Sequence, residues 1–201
     1  MKSTLASTLH RITVAIAGLV LLAALAGYGG SSDAGRTLSL APKLTGVGNI
    51  AESPADGPFE ISSPAFEDGA PIPYQYTCRG GDIAPPLRWS APLGAALVVD
   101  DPDAAREPYI HWIVIGIPPG PGSTGDNQIP GGGTALPNSA GHTSYSGPCP
   151  VPGTGIHTYR FTLYQLPATL ELPPGLAGPE AVKAITKATT AQVQFTGTFE
   201  R

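Results

Sequence analysis

Three carboxylates, Asp100, Asp101 and Asp103, fall within four residues, and the stretch His111-Trp112-Ile113-Val114-Ile115-Gly116-Ile117 follows shortly after. A carboxylate near an imidazole can do acid–base work, hold a metal, or floor a binding pocket. It can also do none of these, because Asp at a strand end often only bonds nearby backbone N–H groups. Pro102 bends the chain inside the cluster and removes a donor. If the segments on either side pair as strands, a carboxylate and His111 share one pocket. The carboxylate would then favour a charged imidazole, an anion binder near neutral pH.

A second candidate runs from Gly147 to Tyr159, GPCPVPGTGIHTY. Prolines stiffen this loop while glycines leave backbone N–H groups approachable, a combination suited to an anion-binding rim. His157 and Tyr159 share one face of the strand expected to follow. A metal centre would need closer ligand spacing, and neither H-x-x-x-H nor C-x-x-C occurs, so no metal and no cofactor is expected. No G-x-S-x-G elbow is present, and Ser144 and Ser146 lack an evident base. Cys149 near His157 is flanked by prolines and could be bridged, which argues against a free thiolate. No catalytic residue is therefore assigned, and the expectation is a protein that is not an enzyme. The two cysteines, Cys78 and Cys149, form a disulfide in one reading and are unrelated buried thiols in the other.

The positioning elements read as short strands between Gly/Pro turns. Candidates are Phe59–Ile61, Tyr74–Tyr76, Leu87–Trp89, Ala95–Val99, Ile110–Ile117, His157–Gln165 and Gln192–Phe199, the pattern of a sandwich or barrel. HWIVIGI is apolar on both faces, as a central strand would be. In His157–Gln165, Tyr159, Phe161 and Leu163 share one face and Thr158, Arg160 and Thr162 the other. One helix is expected over Gly178–Ala188, with Pro179 and Glu180 in its first turn, Lys187 near its end, and Val182 and Ile185 on one face. The segment from Pro118 to Gly155 shows almost no periodicity and reads as a long functional loop.

Of the 201 residues, Met1–Ala26 carries Lys2 and Arg11, an apolar run and Ala24-Leu25-Ala26, the layout of a signal for export. Leu25-Ala26-Gly27-Tyr28 is like a lipoprotein signal with tyrosine in place of the cysteine that lipidation needs. A soluble exported protein is expected, a lipid anchor being the minor alternative. Residues 27–57 read as a flexible linker and 58–201 as one domain. The 26 glycines and 23 prolines are interleaved with strand-like segments, which makes them turns rather than low complexity. Net charge is −4 with no Lys/Arg cluster after the signal, which sets nucleic acid aside as a partner.

Three ordered blocks resemble the phosphatidylethanolamine-binding protein family, in its bacterial, Raf-kinase-inhibitor-like branch. They are Tyr76-Thr77-Cys78 with Pro85–Trp89, then Asp101-Pro102-Asp103-Ala104 with His111-Trp112, then Gly147–Pro150 through Gly155–Phe161. The resemblance extends over about residues 59–201. It implies a mainly β fold, an antiparallel Greek-key β-sandwich with a few short helices and one pocket. Pocket residues carried over are Asp101, His111, Gly147, Pro148, His157 and Tyr159, with Asp101 meeting His111 and with Asp100 and Asp103 shaping the turn. The implied ligand is a small anion or phospholipid head group, with peripheral membrane contact. A protein partner held by the Pro/Gly-rich segment Gly120–Gly133 is the alternative. Ala105 and Val151 stand where relatives usually have proline.

Overall fold

The computed structural model describes residues 57–167 and 172–201. The expected signal, 1–26, and all of the expected linker except Gly57 lie outside the described residues. Among the described residues, eight strands form two antiparallel sheets. β1 (Glu60–Ser62), β2 (Arg88–Ala91) and β5 (Gly120–Ser123) make a three-stranded sheet ordered β1-β2-β5. β3 (Ala95–Asp101), β4 (Tyr109–Ile117), β6 (Thr134–Leu136), β7 (His157–Gln165) and β8 (Ala191–Phe199) make a five-stranded sheet ordered β6-β4-β3-β7-β8. The chain leaves β4, adds β5 to the other sheet, returns as β6 beside β4, then crosses to place β7 against β3. This is a Greek-key path.

Pleating explains how β3 is buried on both faces. Leu97 and Val99 enter the core between the sheets with Trp89, Trp112, Val114, Tyr159, Phe161 and Phe195. Ala96 and Val98 pack on the opposite face with Ile110, Ile113 and the helix residues Ala181 and Ile185. Each fully buried Val, Leu or Ile contributes roughly 1.5–3 kcal/mol. The helix α1 (Gly178–Ala188) has the expected bounds, with Pro179 and Glu180 in its first turn and Ile185 buried.

Two expectations need correction. Tyr74–Tyr76 is a 3-10 turn, not a strand; Pro71 and Pro73 precede it, and the Thr77 hydroxyl donates to the Tyr74 carbonyl at 2.9 Å. The middle segment is not a structureless loop, because it contains β5 and β6. Both are too short to show alternation, and β5 is Gly or Pro at three of its four positions. The first part of Gly120–Gly133, expected to be a free surface for a partner, is thus a strand paired with β2.

The β3–β4 register carries the feature that matters most for the site. Val99 opposes Trp112, but Asp100 opposes Ile110, so His111 is an extra residue in β4. Such a bulge disrupts the ladder locally and re-aims a side chain. The freed backbone group of His111 is not orphaned: its carbonyl accepts the Ser146 N–H at 3.1 Å and Asn138 Nδ2 at 3.1 Å.

Candidate functional site

A cavity of about 390 Å³ opens at the end of the five-stranded sheet, over the last residue of β3, the bulge in β4 and the first residue of β7. The strand pleat divides the carboxylate cluster. Asp100 points to the helix side and forms a bidentate ion pair with Arg160, directly opposite on β7. It therefore does not shape the turn. Asp101 points inward, and its Oδ1 accepts the Asp103 N–H at 2.8 Å. The turn is thus closed by the Asp101 side chain, while Asp103 Oδ2 accepts the Thr158 N–H at 2.8 Å and ties the turn to β7.

Asp101 does not meet His111. Its Oδ2 lies 2.7 Å from His157 Nδ1, and His157 Nε2 lies 2.9 Å from the Thr154 hydroxyl. Both ring nitrogens of His157 are engaged inside the protein, so this residue builds the floor rather than reaching a ligand. His111 is held separately, Nδ1 to the Ser146 carbonyl at 2.6 Å. A carbonyl only accepts, so Nδ1 carries a proton, and Nε2 is left without a partner among the described residues. Burial pushes the imidazole below its ordinary value near 6.5, against the smaller opposing effects of the Ser146 hydrogen bond and the Asp101, Asp100 and Asp82 charges. The ring is flanked by Tyr109 at 4.9 Å and Tyr159 at 5.3 Å between centroids.

The loop residues take different parts from those expected. The Gly147 N–H is already given to Asp82 Oδ1 at 2.6 Å. Glycine is required there, since a Cβ would sit 2.6 Å from the Tyr76 carbonyl oxygen and 2.8 Å from Asp82. Pro148 is buried, and its carbonyl accepts the Cys78 N–H at 3.2 Å. The Cys149 N–H, between two prolines, makes no hydrogen bond among the described residues, and neither do the N–H groups of Val151, Gly153, Gly155 and Ile156. Cys78 and Cys149 are joined as a disulfide with Cα atoms 5.5 Å apart, which removes Cys149 as a nucleophile. The Ser146 hydroxyl accepts from Asn138 Nδ2 at 2.9 Å and has no base beside it.

Tyr159 is fully buried beneath the pocket and does not line it. Burial pushes its phenol up, with the charge and close approach of the Asp101 carboxylate adding, though that approach falls short of hydrogen-bonding geometry. Tyr159→Phe should therefore keep ligand affinity within about twofold and leave stability unchanged or about 1 kcal/mol higher, because an unpaired buried hydroxyl only costs desolvation. Calorimetric titration and a urea melt measure both. A tenfold loss of affinity would return the hydroxyl to the ligand.

Sequence reading missed Asp82 and Asn138. Asp82 sits in a Gly-Gly-Asp turn at φ 51° and adds a third carboxylate to the lining, where no Lys or Arg is found. Asn138 accepts the Ala140 and His142 N–H groups through Oδ1, at 2.9 and 3.0 Å, and so folds the segment that brings Ser146 to His111. Asn-Ser before a glycine was the available turn signal. Among the described residues no cluster could hold a metal ion, and no helix is long and apolar enough to cross a membrane.

Two antiparallel sheets, with a pocket at one end of the larger sheet that is lined by three carboxylates and two imidazoles, define the class to which the chain is compared. Residues 62–200 match the family model described as phosphatidylethanolamine-binding protein. The chain is 58% identical over 201 residues to a UPF0098 protein of Mycobacterium tuberculosis, covering all of both chains. It is 54% identical over 198 residues to a relative from the same organism bearing the lipoprotein name LppC, covering 96% of this chain and 98% of that one. The crystal structure of a phosphatidylethanolamine-binding protein homologue, CT736 of Chlamydia trachomatis, superposes with a TM-score of 0.60 at 32% identity, over 70% of this chain and 96% of that one. YbcL of Escherichia coli shares the fold, with a TM-score of 0.64 at 22% identity, over 71% and 98% of the two chains. The chain belongs to the phosphatidylethanolamine-binding protein family, in its bacterial branch. It has the fold of that family, whose members are in general non-enzymatic binding proteins.

Proposed function

We propose that this is an exported binding protein whose pocket takes a phosphate-type head group, with no turnover. The observation that supports it best is His111. A β-bulge turns this residue into the pocket, Ser146 fixes its Nδ1, and Nε2 is left for a ligand oxygen, to which it donates once protonated. A second donor is available at Cys149, which lines the same cavity and whose N–H is unbonded among the described residues. Asp82, Asp101 and Asp103, uncompensated by any Lys or Arg in the lining, favour a head group that also brings a positive charge or donors of its own. Export is supported by the Met1–Ala26 pattern and by the lipoprotein name of one relative. Tyr28 leaves this chain without the thiol that lipidation uses.

The test is titration of the full-length protein with inorganic phosphate, phosphoethanolamine and ethanolamine. Phosphate and phosphoethanolamine should bind, the latter more tightly, while ethanolamine alone should not. His111→Phe should weaken both phosphates by about tenfold or more, the worth of one charge-assisted hydrogen bond. Absence of binding by either phosphate would overturn the reading.

A further inference from the structure

The rim of the pocket is tied down unevenly. Gly147 is anchored through Asp82, and Pro148 through the Cys78 N–H. Cys149 is anchored by the disulfide, which spans 71 residues of chain. Past that point the hydrogen bonds become local until β7 begins. The Thr154 N–H and hydroxyl return only to the Val151 carbonyl, at 3.1 and 2.8 Å, and the hydroxyl touches His157. Cys149, Pro150, Val151 and Thr154 all line the cavity. The disulfide is thus the last covalent or hydrogen-bonded tie from this stretch to another part of the chain before His157, apart from the contact of Arg201 with the Cys149 sulfur.

That bond is also open to attack. Cys149 is exposed, and the guanidinium of Arg201 lies 3.5 Å from its sulfur. A cation beside a cysteine stabilises its thiolate and so favours the reduced state. We propose that the Cys78–Cys149 disulfide is a redox-sensitive lock on the ligand pocket, reduced by an external dithiol and releasing the rim when it opens. This rests on the reading of the pocket as a ligand site.

The exchange balances without any further reactant. A thiolate of the dithiol attacks the Cys149 sulfur, the Cys78–Cys149 bond breaks, and Cys78 leaves as a thiolate that takes up a proton. The second thiol of the reductant, deprotonated, attacks its own sulfur in the mixed disulfide and expels Cys149 as a thiolate beside Arg201. Two electrons pass to the protein and the reductant becomes a cyclic disulfide. The Cys149 amide, until then preorganised for a ligand, must afterwards be ordered on binding.

The experiment uses the full chain, oxidised or reduced with dithiothreitol, with two readouts. Affinity for inorganic phosphate should fall about tenfold on reduction and return on reoxidation, the size of effect expected when a preorganised contact must be ordered. Hydrogen exchange at the Thr154 amide, bonded to Val151, and at the Cys78 amide, bonded to Pro148, should accelerate on reduction while that of β3, β4 and β7 does not. Arg201→Gln should move the equilibrium with glutathione toward the oxidised form by roughly threefold or more. Reduced protein with unchanged affinity and unchanged rim exchange would overturn the lock. So would loss of near-ultraviolet dichroism on reduction, since the bond would then be a staple of the whole fold. If phosphate binds neither form, the ligand reading fails and the exchange experiment alone decides whether the rim is locked.

Discussion

Asp101→Ala should lower the stability of the domain by about 3 kcal/mol, the upper end for leaving a buried hydrogen-bonding group without its partner. Asp101 and His157 are only 4% and 6% exposed, and in the native fold His157 Nδ1 relies on Asp101 for its hydrogen bond. The substitution leaves His157 Nδ1 without its partner at 2.7 Å and frees the Asp103 N–H as well. For a domain of this size the melting temperature should fall by about 10 °C. Asp103→Ala is the control. It removes an acceptor for the exposed Thr158 N–H and should cost under about 1 kcal/mol. His157→Ala should cost nearly as much as Asp101→Ala, and the double variant much less than the sum, with a coupling of about 1–3 kcal/mol. Additive single effects, or an Asp101→Ala melting point within 2 °C of the native protein, would show that the pair does not hold the floor.

The same geometry explains which parts of the site were legible beforehand. Residues in strict alternation were readable: the Tyr159, Phe161, Leu163 face of β7 enters the core, and the helix has the bounds that Pro179 and Lys187 suggested. The proximity of Asp101, His111 and His157 followed from the blocks of sequence that carry the family resemblance. The pairing within that group did not. Which imidazole Asp101 meets depends on the Val99–Asp100 register shift, and a bulge has no compositional mark when the extra residue is a histidine rather than a glycine. Gly147 lines the cavity, but the engagement of its N–H by Asp82 was not legible, for a related reason. A glycine in a loop signals close backbone approach, but not whether a ligand or another part of the chain makes the approach, and here Tyr76 and Asp82 do. Asp82 and Ser146 come from turns far along the chain from the strands they serve, and Asn138, which places Ser146, is a polar turn residue like many others.

The revised pairing changes the expected pH dependence of binding. Had Asp101 met His111, the imidazole would be charged near neutral pH and affinity would decline only above about 6.5. Instead burial lowers the His111 pKa, and its Nδ1–H is committed to Ser146. In the free protein at pH 7 Nε2 is therefore a lone pair, which repels an anionic oxygen. Binding must bring a proton to Nε2. Above the free His111 pKa the affinity for a fixed-charge anion should drop by up to about tenfold per pH unit, or about 1.4 kcal/mol. The decline should already be under way at pH 6.5, with the plateau displaced to more acid solution. Diethyl phosphate is the suitable probe, because a phosphodiester keeps one negative charge across this range whereas a monoester titrates near 6. Calorimetry from pH 5 to 8 should show the slope in the native protein and a flat, weak profile in His111→Phe. A native profile flat across that range, or a slope that survives in His111→Phe, would remove the proton from the binding step. Stability should carry the matching sign. Since the folded state holds this histidine neutral, the unfolded chain binds more protons below about 6.5, and the His111 contribution to stability is lost as pH falls through the lowered pKa. Diethyl phosphate should offset part of that loss, most strongly at acid pH where the folded protein can accept the proton with the ligand.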